Sequence, residues 1–139
     1  MIVMPLLALA MAASGGDAQS PDSVVGRWRT ETKNGIVEIQ RCGPSICGRL
    51  VSSDKLRTDP TLKDLNNKDA SLRGRPLKGL LILNGFTASG SVWSGGSIYN
   101  ADDGKTYGAK VTLVGPDKLT VRGCVFVPLC KTQTWTRVN

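Results

Sequence analysis

Turn signals divide residues 24–138 into short segments, and their spacing limits what the chain can fold into more than any other feature. Lys33-Asn34-Gly35, Gly43-Pro44, the run Asn100-Ala101-Asp102-Asp103-Gly104 and Gly115-Pro116-Asp117 each separate strand-length segments. Asn-Gly and Asp-Gly favour tight hairpins because they accept positive φ angles. Between the turns apolar side chains alternate with polar ones, the period of a half-buried strand. Val37 and Ile39 thus oppose Glu38 and Gln40, and the final run KTQTWTRV alternates again.

Eight strands are predicted: 24–32, 36–42, 46–52, 79–86, 91–100, 105–114, 118–127 and 131–138. The fourth is almost continuously apolar, as in a buried strand, and Gly95-Gly96 marks a bulge or sharp bend in the fifth. Residues 53–78 break the pattern with Pro, Asn, Asp and Gly and hold no sustained period; a helical turn is expected near 69–73. So long an excursion in a compact domain is either a functional lid or disordered.

Sequential antiparallel strands of this number remove both sheet edges by closing on themselves. The expected fold is all-β: a single eight-stranded antiparallel up-and-down barrel with one long excursion between strands three and four. A two-sheet sandwich is the rival. Arg27-Trp28 in the first strand and Trp135-Thr136-Arg137 in the last place a barrel seam between them.

Residues 2–13 form an apolar run of signal-peptide length, too short to span a bilayer, with cleavage candidates at Ala10-Met11-Ala12 and Gly16-Asp17-Ala18. The expected division is a signal peptide at 1–18 and one domain at 19–139, which places the protein in the periplasm or outside the cell. Four cysteines in such a chain suit an oxidising compartment and two disulfides. Three connectivities exist. Local pairing, Cys42 with Cys47 and Cys124 with Cys130, is expected because each pair flanks a turn. Zinc is disfavoured by the absence of histidine and by the wide second spacing.

The formal charge is +7. That field favours anionic partners, an anionic lipid surface among them, but no basic stripe with interleaved aromatics marks a nucleic-acid site. Catalysis is not expected. Histidine is absent, the cysteines are read as oxidised, and Glu31 and Glu38 show no convergence. Asp102-Asp103-Gly104 suits a hairpin turn. The run 64–69 lacks the Gly and distal Glu of an EF-hand loop, so no metal is expected.

The segments GRWRTE (26–31), VEIQRCGPSICGRLV (37–51), Asn66-Asn67, SLRGRPLKGLLIL (71–83), WSGGSIYNADDGKTY (93–107), LTVRGC (119–124) and TQTWTRV (132–138) resemble the bacterial exported-protein family known as domain of unknown function 2147. The resemblance implies a lipocalin or calycin relative, a small barrel that holds an apolar ligand in its mouth. Gly26-x-Trp28 is similar to the lipocalin opening motif, in which the Trp plugs the closed end. A basic residue of the last strand lies over that Trp, and Arg137, supported by Trp135, fits the position. Guanidinium stacked on indole contributes on the order of 1 kcal/mol.

The residues suggest a pocket of their own. Trp93, Tyr99 and Tyr107 could line a mouth, where aromatic faces meet an apolar ligand and phenols orient it. Arg73 and Arg75, with Lys78 beside them, could clamp an anionic head group. Aliphatic positions such as Val37, Ile39, Leu50, Val111 and Val121 would set apolarity and size. Three Trp, two Tyr and two Phe leave little for a large stacked cofactor, and none is expected. Two readings follow: a barrel holding a small apolar or amphipathic ligand, or a solid barrel that docks anionic lipid or a partner protein through its basic surface.

Overall fold

Among the described residues, nine strands make up the sheet: Gly26–Arg29 (β1), Ile36–Cys42 (β2), Ser45–Ser52 (β3), Leu81–Asn84 (β4), Thr87–Ser89 (β5), Val92–Asn100 (β6), Lys105–Gly115 (β7), Lys118–Phe126 (β8) and Leu129–Val138 (β9). The computed structural model describes residues 20–139; the expected signal peptide lies outside them. All pairings are antiparallel, in the order β4-β3-β2-β1-β9-β8-β7-β6-β5, and a further β4–β6 pairing closes an eight-stranded ring. β5 continues β4 along the same neighbour: Leu83 pairs with Ile98, and Thr87 with Ser94. β4 and β5 are therefore one bent strand, interrupted at Gly85-Phe86.

The first strand is shorter than predicted at both ends: Pro21–Val24 forms a 3-10 turn before it, and residues 30–35 form the connection after it. The positive φ angles of the β1–β2 connection fall on Lys33 and Asn34, one residue before the Asn-Gly step expected to carry them. Gly35 is buried against Thr30, and the Thr30 N–H donates to its carbonyl at 2.8 Å. The predicted bend in β6 is a register shift between Trp93 and Gly96. Residues 53–78 are ordered, with an α-helix Asp54–Thr58 (α1) and a 3-10 turn Ala70–Leu72. Sequence had suggested the second of these and not the first. Both disulfides are local, Cys42–Cys47 and Cys124–Cys130.

Inward positions pack one end of the ring solid. Trp28, Ile39, Ile46, Leu83, Trp93, Val111 and Leu119 belong to one buried cluster. At that end the Trp28 indole N–H donates to the Val24 carbonyl at 2.8 Å, and the Arg137 guanidinium lies 4.3 Å over its ring. Arg137 also donates to the carbonyls of Ser23, Val25 and Pro116, so one side chain ties β1, β9 and the β7–β8 turn together. Gly26 makes this possible: its φ is +136°, and a Cβ there would stand 2.6 Å from an Arg137 nitrogen.

Candidate ligand-binding site

The opposite half of the ring is hollow. A cavity of about 950 Å³ opens at the end where β3 leads into the excursion. Leu50, Ile82 and Ile98 line it from β3, β4 and β6, over a floor of the buried side chains Val37, Val121 and Trp135 from β2, β8 and β9. An apolar wall of this kind releases water when an apolar ligand enters. Tyr99 and Tyr107 stand nearer the opening, with Lys33, Lys55 and Lys131 at the rim. The Lys33 ammonium is paired with Asp102 and the Tyr107 hydroxyl donates to Asp103. That hydrogen bond, ahead of desolvation, raises the Tyr107 phenol above its ordinary pKa.

The excursion roofs part of the opening. Ser53 caps α1 by accepting from the Leu56 N–H at 3.1 Å, which turns Leu56 inward. Further on the chain folds back on itself: the Asp64 N–H donates to the Arg75 carbonyl at 3.0 Å and the Leu77 N–H to the Leu62 carbonyl at 3.0 Å. Leu56, Leu62 and Leu77 thereby add apolar lining from above.

A buried carboxylate fastens this roof to the barrel. The Asp64 side chain is wholly buried. Its Oδ1 accepts from the Tyr99 hydroxyl at 2.6 Å, and its Oδ2 from Asn67 Nδ2 and Arg75 Nε at 2.9 Å each. Arg75 also stacks on the Tyr99 ring at 5.1 Å. Burial pushes the Asp64 carboxyl up, but the donors Asn67, Tyr99 and Arg75 together outweigh it and hold the group below the usual range. The Tyr99 phenol moves the other way, raised by its own burial and by donating to Asp64. Beside the latch, Asn66 Nδ2 donates to the carbonyls of Ala101 and Asp102. Gly104 lies directly under this contact, where a Cβ would fall 1.8 Å from the Asn66 carbonyl oxygen.

Of the residues singled out from sequence, Val37, Leu50, Tyr99 and Tyr107 meet around the cavity. Ile39 and Trp93 lie in the packed closed half instead; the Trp93 indole donates to the Pro21 carbonyl at 2.9 Å, and Arg41 sits 5.2 Å from its ring. Arg73 donates to the Asn67 carbonyl at 2.8 Å, and Arg75 serves the latch, so both hold the excursion's own fold. Arg75 also borders a second hollow of about 780 Å³ beneath the excursion. Ile82, Tyr99, Tyr107 and Val125 border both spaces. Asp102 and Asp103 belong to the β6–β7 turn: Asn100 accepts from the Asp102 N–H and Asp103 from the Lys105 N–H, both at 2.9 Å. Among the described residues, no group of three or more Cys, Asp or Glu side chains could hold a metal.

Sequence reasoning passed over Gln133. It shares a strand face with Trp135 by simple alternation and accepts from the Trp135 indole at 3.0 Å, which leaves a polar amide in the lumen wall. It passed over Lys55 and Lys131 too, since no periodicity assigns loop and strand-end residues to a rim.

Comparison with known proteins agrees with the architecture. A solved structure described as "Protein HP1028 from the human pathogen Helicobacter pylori belongs to the lipocalin family" superimposes with a TM-score of 0.75 at 26% identity, covering 83% of this chain and 82% of that one. No curated protein sequence matches. The family described as "Uncharacterized protein conserved in bacteria (DUF2147)" matches residues 26–137, nearly the whole described barrel. With its closed antiparallel ring and lipocalin-like relative, the chain belongs to the DUF2147 family.

Proposed function

We propose that this protein is an exported carrier that holds a small apolar or amphipathic ligand in the open half of its barrel. The observation that carries the reading is the lumen itself, about 950 Å³ walled by aliphatic side chains and Trp135, a volume on the scale of sites for drug-sized ligands. A solid barrel would have no such space. An anionic head group would meet Lys55 and Lys131 at the rim, not Arg73 and Arg75, whose guanidinium groups are engaged within the excursion. Gln133 and the two tyrosine hydroxyls would orient polar atoms. The two local disulfides support an oxidising compartment, the periplasm or the exterior.

Native mass spectrometry of the protein recovered from an exporting host without refolding tests this reading, followed by denaturing extraction. A co-purifying lipid or organic acid, lost on denaturation, would identify the ligand class. A clean apo mass, with no uptake of an apolar fluorescent probe, would refute it.

A further inference from the structure

Of the eight exposed large apolar side chains among the described residues, four are contiguous, and the other four, Val25, Leu65, Leu72 and Val114, are scattered singly. Val125, Phe126, Val127 and Leu129 are 66, 62, 75 and 57% exposed, and with Pro128 they form the entire tip of the β8–β9 hairpin. Contiguous exposed apolar surface marks an interaction site more often than isolated residues do. The Cys124–Cys130 disulfide clamps the base of the tip, so its shape is set before any partner arrives. Val125, Pro128 and Leu129 also line the lumen opening, which puts the tip at the mouth.

Charge identifies the partner. Lys131 follows the tip on β9, and Lys105 on β7 borders the second hollow together with Val125 of the tip. Lys55 stands across the opening. None of these three lysines has an ion-pair partner among the described residues. The three acids that line the opening each have a partner: Asp102 pairs with Lys33, Asp54 pairs with Arg57, and Asp103 accepts from the Tyr107 hydroxyl. An apolar wedge ringed by free ammonium groups on long, flexible stems matches the layered chemistry of an anionic bilayer surface. A second copy of the chain fits less well: it would bring like charge against like, and a five-residue tip falls far short of the roughly 800 Å² per partner that a stable protein interface buries.

We propose that the β8–β9 tip inserts into the surface of an anionic lipid bilayer and holds the barrel mouth against it. On the ligand-binding reading proposed above, an apolar ligand would then pass between bilayer and lumen without crossing water. The docking itself does not depend on that reading.

The test is co-sedimentation of the purified protein with phosphatidylcholine vesicles, with and without about 30 mol% phosphatidylglycerol, at low and high salt. With about 1 kcal/mol for each of three lysines, the anionic vesicles should bind on the order of 100-fold more tightly. Phe126→Asp with Val127→Asp should cut this binding at least about tenfold, and Lys55→Glu with Lys131→Glu should remove most of the preference for the anionic lipid. All four positions are exposed, so the barrel should keep its melting temperature. No binding by the wild type, equal binding by the tip variant, or tip-dependent self-association without vesicle binding would each overturn the proposal. Uptake of an apolar probe in vesicle-free solution, read on the wild type and on the Phe126→Asp with Val127→Asp variant, whose two positions do not line the lumen, reports the lumen separately, so failure of docking and failure of ligand binding are distinguishable.

Discussion

Replacing Asp64 by Ala removes the acceptor of three hydrogen bonds, one from Tyr99 on the barrel and two, from Asn67 and Arg75, that hold the excursion together. Breaking a fully buried ionic pair costs about 3–5 kcal/mol. Here the lower end applies, because the Arg75 side chain is one-third exposed and water can solvate what Asp64 releases. A loss of about 3 kcal/mol would lower the melting temperature by about 10 °C in a domain of this size. The pH dependence is equally specific. The folded carboxyl sits below its ordinary pKa, so the native state binds fewer protons than the unfolded chain over that interval. The stabilisation is complete above the unfolded value near pH 4 and fades as pH falls through the folded one. The gap between wild type and Asp64→Ala should therefore be widest near neutrality and narrow in acid. Thermal melts across that range measure the gap. Hydrogen exchange at the Asp64 and Leu77 amides, which donate within the excursion, localises it. A gap unchanged down to about pH 2, or excursion amides equally protected in both proteins, would refute the latch.

Other perturbations probe the remaining supports. Gly104→Ala places a Cβ against the Asn66 carbonyl at a φ of +71° and should cost more than about 1 kcal/mol, read as a lowered melting temperature. Arg137→Lys keeps the charge but gives up the planar stack on Trp28 and the fork that reaches three carbonyls; denaturant melts should show a loss of about 2 kcal/mol. Leu50→Trp with Val121→Phe narrows the lumen from opposite walls of the ring, and apolar probe uptake should fall at least about tenfold.

The sequence made the ring legible because alternation states which face of a strand is buried. It does not state height along the barrel axis. Val37 and Ile39 share a face of β2, yet only Val37 borders the lumen while Ile39 packs in the closed half, and Trp93 was misplaced for the same reason. The latch was illegible for a different one. Asp64, Arg75 and Tyr99 come together only when the excursion folds back over β6, and each alone reads as an ordinary polar residue. α1 was missed because five residues are too few to show a helical period. In the β1–β2 connection, turn chemistry predicted the reversal but misplaced its left-handed positions by one residue, since Gly35 is required there for close approach to Thr30.

The seam between β1 and β9 has a kinetic meaning. Every other pairing in the ring joins strands that are neighbours, or nearly so, along the chain, whereas Arg27 pairs with Val138 across almost the whole described sequence. That ladder closes the longest loop of the ring, and non-local pairing of this kind slows folding. The Arg137–Trp28 stack and its three carbonyl bonds lie at the same seam, so they reward the step that is hardest to reach. They are the contacts through which a change in sequence would alter how fast the ring closes, and not only how firmly it stays shut.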